Sequence, residues 1–249
     1  MIYLKTAKEI KIMQKSGRIA ALAMRGVSKN IQPGVTTMDL DKIAEDLITK
    51  LGAEPSFKRV QGYNYTICAT PNYRVVHGIP GNKKLRNGDI LGIDLGAYYK
   101  GFHSDMAKTF AVGKISNDNS LFLSVGEKTL NKAIGEVKIG SCVGDISNLI
   151  QENIERSGYS VVREFVGHGV GRELHEDPLV PGVGEKGTGP QIKEGMVLAV
   201  EVIYNKGGRQ VSILSDGWTV ETNDKLDSGL FELTVAATKK GPLVLTSAQ

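Results

Sequence analysis

Apolar residues recur at three- and four-residue steps near the start of the chain. Ile10, Met13, Gly17, Ala20, Met24 and Val27 fall on one helical face. Thr6, with Glu9 three residues later, opens that helix as a capping box. After "QPG" the same period returns in Leu40, Ile43, Ala44, Leu47, Ile48 and Leu51, with Thr36 and Asp39 placed to cap the helix and Gly52 to end it. The pattern then changes. The Tyr-rich stretch 60–80 predicts strands and turns, and "DILGIDLGAYYKGFHSDMAKTFAVG" (89–113) predicts a β-hairpin.

The second half repeats the first. Gly34, Asp39, Leu40, Ile43 and Gly52 match Gly140, Asp145, Ile146, Leu149 and Gly158 at an offset of 106. "GDILGID" (88–94) matches "GMVLAVE" (195–201) at an offset of 107, so Asp94 and Glu201 take equivalent places at the ends of two apolar strands. The expected architecture is α+β: a duplicated unit of helices followed by antiparallel strands, two sheet halves related by a pseudo-two-fold axis. No Pro/Gly/Ser-rich linker parts the halves, roughly 1–115 and 116–249, so one domain is expected over 1–249.

Composition narrows the class. With 249 residues, 41% hydrophobic and 23% charged, the chain can bury a sizeable core as an ordinary globular protein. A net charge of +4 from interspersed Lys and Arg does not call for nucleic acid, and "GNKKLR" (81–86) reads as a solvated turn. Two cysteines make no disulfide framework and fit a reducing, cytoplasmic location. No apolar run approaches a membrane span, and the charged N-terminus carries no signal core.

The chemistry gathers in strand contexts. Asp94 closes "ILGID", and Asp105 returns beside it across the hairpin. His168 follows "VVREFV", Glu201 follows "MVLAV", and Glu232 sits inside "GLFELTVAAT". Any one of these alone reads as a turn cap, a solvated edge or a structural histidine. Together, four buried acids would be costly without positive charge, and with one imidazole they suit a cage for two divalent ions such as Mn, Fe, Co or Zn. "GHGVGRELHE" (167–176) puts His168 and His175 seven apart among glycines, a strand end turning tightly rather than a helix. His103, in "KGFHSD", is expected in the hairpin turn, exposed and without a role.

The stretches "HGIP" (77–80), 92–113, "GHGVGRELHEDPLVP" (167–181), "EGMVLAVE" (194–201), "DGWTV" (216–220) and "FELTV" (231–235) resemble the type I methionine aminopeptidases, over nearly the whole chain. That resemblance implies the pita-bread (creatinase/aminopeptidase-like) fold and removal of the initiator methionine from nascent polypeptide N-termini, reached at the ribosome, when the second residue is small. It implies a monomer with no membrane or nucleic-acid partner. It makes Asp94, Asp105, His168, Glu201 and Glu232 the ligands of two metal ions, Asp105 and Glu232 bridging them, with a metal-activated water as nucleophile and Glu201 also shuttling the proton. His77 and His175 would meet the scissile amide and the oxyanion, and Tyr63, Cys68, Leu174 and Trp218 would form the methionine pocket. Trp218 by itself reads equally as a core aromatic, and Cys68 as a small apolar wall with no neighbouring base.

The chain departs from the family pattern at three places. Val202 stands where proline is usual, Leu233 where histidine is usual, and Leu230 where glutamine is usual. Leu230 should share a strand face with Glu232, and Leu233 should point away. Other readings are a proline-specific peptidase of the same fold and a catalytically silent relative. Dinucleotide binding through "GHGVGR" fails, because a proline follows too soon and no acid ends a strand some twenty residues on.

Overall fold

A computed structural model describes residues 1–248. The first half runs α1 (Ala7–Ser28), α2 (Thr37–Lys50), β1 (Glu54–Pro55), β2 (Ile67–Pro71), β3 (Ile90–Tyr99) and β4 (Phe102–Ala111). The second runs α3 (Asn117–Ile134), α4 (Val143–Arg156), β5 (Ser160–Val161), β6 (Gly167–Gly169), β7 (Glu176–Val180), β8 (Val197–Asn205), β9 (Val211–Ile213), β10 (Val220–Thr222), β11 (Ser228–Thr238) and β12 (Gly241–Val244). Among the described residues, all strands but the β9–β10 ribbon join one ten-stranded sheet with the central order β3-β4-β11-β8. Every pairing is antiparallel.

The duplication is visible element by element. The helices α2 and α4 each have 14 residues and an Asp at the third position bonding back to the cap backbone. Glycines precede and follow both, at φ +94° and +80° around α2 and +96° and +83° around α4, where only glycine is at ease. The Tyr-rich segment yields one strand, β2, and otherwise irregular backbone.

At the centre, β4 and β11 meet with Ala107 opposite Glu232. To one side, the Thr234 hydroxyl accepts from the Asp105 N–H at 2.9 Å and donates to the Asp105 carbonyl at 2.7 Å. To the other, the Thr109 hydroxyl accepts from the Leu230 N–H at 2.9 Å and donates to the Leu230 carbonyl at 3.0 Å. The two halves thus clasp each other by the same device used in opposite directions.

Alternation along the strands sorts the two faces. Leu91, Ile93, Leu95 and Met106 pack into a core with α1 and α2, while Leu198, Val200, Val202, Phe231 and Val235 pack into a core with α3 and α4. The intervening residues Asp94, Asp105, Glu201 and Glu232 lie on the opposite face, where the polar groups collect. Val202 and Leu233 both pack on the helix side, Leu233 against both cores. Leu230 lies with Glu232 on the other face.

Two expectations need correction. Asp94 and Glu201 do not end their strands: each is the fifth residue of its strand, because the ladder runs on past the apolar stretch to residues 99 and 205. His103 is not an exposed turn residue, being only 4% exposed. The turn is the two residues Lys100 and Gly101, both at positive φ, so β4 has already begun and His103 pairs with Tyr98. Its Nδ1 lies 2.9 Å from Ser56 Oγ, and its ring rests against Tyr98 at 4.6 Å.

Candidate metal centre

Sheet register places the acids in two adjacent rows. The first crosses four strands as Asp94, Ala107, Glu232 and Glu201, each opposite the next. The second runs Gly96, Asp105, Thr234, Ala199 and His168. Small residues between the acids leave space above the sheet. His168 Nε2 stands 3.5 Å from Glu201 Oε1 and 3.9 Å from Asp105 Oδ2. Ligand atoms of Asp94, Asp105 and Glu232 lie within 4.8 Å of one another, as do those of His168, Glu201 and Glu232, and those of Asp105, His168 and His175.

The donor chemistry fits divalent cations. One oxygen on each of Asp94, Asp105 and Glu232 is buried with no hydrogen-bond partner among the described residues. Burial pushes all four acids upward, Asp94 to about 7 and Glu201 to about 8, and repulsion from neighbouring carboxylates adds to it at Glu201, Asp105 and Glu232, the last two well above the carboxylate range. Carboxylates so placed call for positive charge. His168 Nδ1 lies 2.9 Å from the Gly169 carbonyl, so it carries the proton and leaves the Nε2 lone pair toward the acids. Burial holds this imidazole down to about 3, in its neutral, ligating form.

The glycines of 167–171 act by close approach rather than by positive φ. Side chains at Gly167 or Gly169 would collide with the Ala199 and Asp177 carbonyls of the flanking strands. The segment before β6 is irregular from 162 to 166, so His168 belongs to a short strand of its own. Past that strand the chain turns, and His175 comes back to lie 4.4 Å from His168, ring to ring.

All eleven residues singled out from the sequence line one cavity of about 250 Å³. One end is the acidic cluster. The other is apolar, where Tyr63, Cys68 and Leu174 pack with Phe57, and Trp218 lies edge-on to Tyr63 at 5.1 Å. Cys68 sits directly opposite Asp94 on the neighbouring strand, buried, its thiol pushed up by burial and by the Asp94 carboxylate. His77 borders the same space, its ring edge-on to Phe165 at 5.4 Å and its backbone at φ +56°, unusual for a residue other than glycine. Burial lowers His77 to about 4 and lowers His175 as well, so both imidazoles are neutral near pH 7.

Sequence reasoning did not single out Phe57, Val60, Val76, Glu164, Phe165 and Val166 as lining residues, and it took Leu230 only as a departure. Phe165, three before His168, carried a faint signal; Phe57 and Val60 carried none beyond being apolar.

Residues 11–226 match the model of metallopeptidase family M24. The chain is 48% identical to methionine aminopeptidase 1 of Bacillus subtilis over 246 residues, 99% of each. It superposes on the crystal structure of methionine aminopeptidase from Thermotoga maritima with a TM-score of 0.97 at 42% identity, covering 99% of this chain and 100% of that one. The prolidase from Pyrococcus furiosus is also similar, at a TM-score of 0.81 and 26% identity over 99% of this chain and 66% of that one.

Proposed function

The chain belongs to metallopeptidase family M24, as a methionine aminopeptidase with the pita-bread fold, and from that premise we propose how its cavity removes the N-terminal methionine from nascent chains whose second residue is small. The observation that carries the reading is a single cavity with three unpartnered buried carboxylate oxygens at one end and an apolar cluster at the other. Asp94, Asp105, His168, Glu201 and Glu232 would hold two divalent ions of the Mn, Fe, Co or Zn group, with Asp105 and Glu232 shared between them. Such ions, when bound, polarise the scissile carbonyl and lower the pKa of the attacking water.

The chain's own residues do the rest. Tyr63, Cys68, Leu174 and Trp218 take the methionine side chain, which aligns the first peptide bond over the acids. The neutral imidazoles of His77 and His175 hydrogen-bond the scissile amide and the oxygen that gains charge. Glu201 accepts the proton from the attacking water and returns it to the leaving nitrogen as the C–N bond breaks. The products are free methionine and a peptide shorter by one residue. We take the working form to be a monomer that meets its substrates as they leave the ribosome. No described helix is long and apolar enough to cross a membrane.

The prolidase likeness supports a second reading, since the same acids could serve an Xaa-Pro peptidase. Release of methionine from Met-Ala-Ser and cleavage of Ala-Pro-Ala, each with Co or Mn and with chelator, separate the two. Metal-dependent cleavage of the first alone, lost in Glu232→Ala, supports the reading. Cleavage of the proline peptide instead reassigns the pocket. Failure with both, by folded and metal-loaded protein, leaves a silent relative.

A further inference from the structure

The segment before α1 supplies no acid of the cluster and no wall of the apolar pocket, yet it reaches the loop that carries His175. Lys5 Nζ lies 2.6 Å from Glu176 Oε2, with both side chains nearly excluded from solvent at 5% and 6% exposure. The other oxygen of Glu176 accepts from the backbone N–H of Arg172 at 2.8 Å and of Glu173 at 3.3 Å. One carboxylate therefore closes the turn from 171 to 176, and His175 is the residue just before it. The pair fills the space beside Gly171, where a side chain would meet Glu176 Oε1 and come 2.6 Å from Lys5 Cε. Lys5 is itself fixed: its N–H donates to the Gly195 carbonyl at 2.7 Å, just ahead of the strand bearing Glu201. Arg172 adds a weaker tie to Glu9 of α1 at 3.1 Å.

A buried ion pair is a costly way to gain stability, because desolvation consumes most of the attraction. What this one does provide is a fixed geometry between three backbone segments. We propose that Lys5 and Glu176 are positioning residues for His175, setting the height of its imidazole over the acidic cluster. This rests on the reading that His175 meets the substrate. Loss of Lys5 frees the turn, and a displacement of about 1 Å at a reacting group is enough to lower turnover roughly 100-fold.

The test uses the full chain with saturating Mn and Met-Ala-Ser, comparing Lys5→Met, Glu176→Gln, Gly171→Ala, His175→Ala and the Lys5→Met/His175→Ala pair. Gly171→Ala pushes on the ion pair without removing a charge, and it serves if either charge variant fails to fold. The three loop variants should lose about 10- to 100-fold in kcat, with KM and calorimetric Mn affinity within about two-fold of wild type. The double variant should be no slower than His175→Ala alone, because the pair acts through that imidazole. Unchanged kcat with only a lowered Tm, a parallel fall in Mn affinity, or a further loss in the double variant would each overturn the proposal. Wild-type kcat in His175→Ala would instead sink the underlying reading of His175, which keeps the two failures apart.

Discussion

Thr109 and Thr234 make the same pair of bonds in opposite directions across the seam between β4 and β11. Thr109 clasps the backbone of Leu230, and Thr234 clasps the backbone of Asp105. The seam is thus nearly symmetric in structure, but only one side carries an acid. The candidate metal site straddles that seam, with Asp94 and Asp105 from the first half and His168, Glu201 and Glu232 from the second.

That asymmetry gives a matched pair of substitutions. Thr109→Val and Thr234→Val each leave a buried N–H and carbonyl without their threonine partner, at a cost of about 1–3 kcal/mol per group. The stability losses should be similar, while Mn affinity should fall only in Thr234→Val, where Asp105 loses its anchor. Denaturant unfolding with chelator, beside calorimetric Mn titration, checks both. Equal Mn affinity in the two variants would mean that Asp105 does not need the clasp.

The acids and the histidines set the pH response of the metal-free protein. Burial raises the folded-state values of Asp94, Asp105, Glu201 and Glu232, so the folded form binds more protons than the unfolded and these groups lose stability as pH rises. Burial lowers His168, His77, His103 and His175, which acts with the opposite sign until the unfolded histidines, half titrated near pH 6.5, have lost their protons by about pH 7.5. Between about pH 4 and 7.5 the two sets oppose each other; above about 7.5 only the acids remain. The chelated protein should therefore lose stability from about pH 7.5 to 8.5. Saturating Mn should abolish or reverse that fall. A chelated protein whose unfolding midpoint holds steady over this window would show that the acids are not paying the expected burial cost.

Much of this is legible in the sequence. A fixed spacing between Gly, Asp and an apolar stripe revealed the duplication, and runs of apolar residues ending in acids revealed Asp94 and Glu201. What stayed hidden was register. Nothing local says that Ala107 lies between Asp94 and Glu232, or that His103 falls two residues past the turn, since both depend on which two residues make the hairpin bend. The roles of glycines 167, 169 and 171 were also misjudged, because close approach of neighbouring strands leaves the same sequence trace as a tight turn. Lys5 gave no signal at all, its partner lying 171 residues away.

Leu174 tests the apolar end of the cavity. It packs with Phe57, Tyr63 and Cys68 and is 7% exposed. Leu174→Ala removes part of the wall that would grip the methionine side chain, and loss of such contact in a pocket is worth about 10- to 200-fold in discrimination. The ratio of kcat/KM for Met-Ala-Ser over Ala-Ala-Ser should fall by about that factor, with Mn affinity unchanged. A selectivity ratio equal to wild type would move the methionine pocket elsewhere.

His77 tests the other side of the reacting bond. Its backbone at φ +56° is a conformation that costs about 1 kcal/mol or more outside glycine, and such strain persists where the surroundings hold it. Here the Gly78 carbonyl accepts from the Ala69 N–H at 2.8 Å, and the Ile79 N–H donates to Thr219 Oγ1 at 3.3 Å, so β2 and the 216–220 loop pin the turn on both sides. If the strain serves only the fold, His77→Gly should stabilise the protein and leave catalysis intact. If it aims the imidazole at the substrate, His77→Gly should be at least as stable as wild type and about 100-fold slower in kcat, as for loss of one oxyanion donor. His77→Asn, which tolerates the same φ and keeps a donor, should recover part of that rate. We expect the second pattern, because His77 borders the cavity and, among the described residues, no side-chain hydrogen bond holds its ring. A His77→Gly enzyme with wild-type kcat and raised Tm would decide for the first.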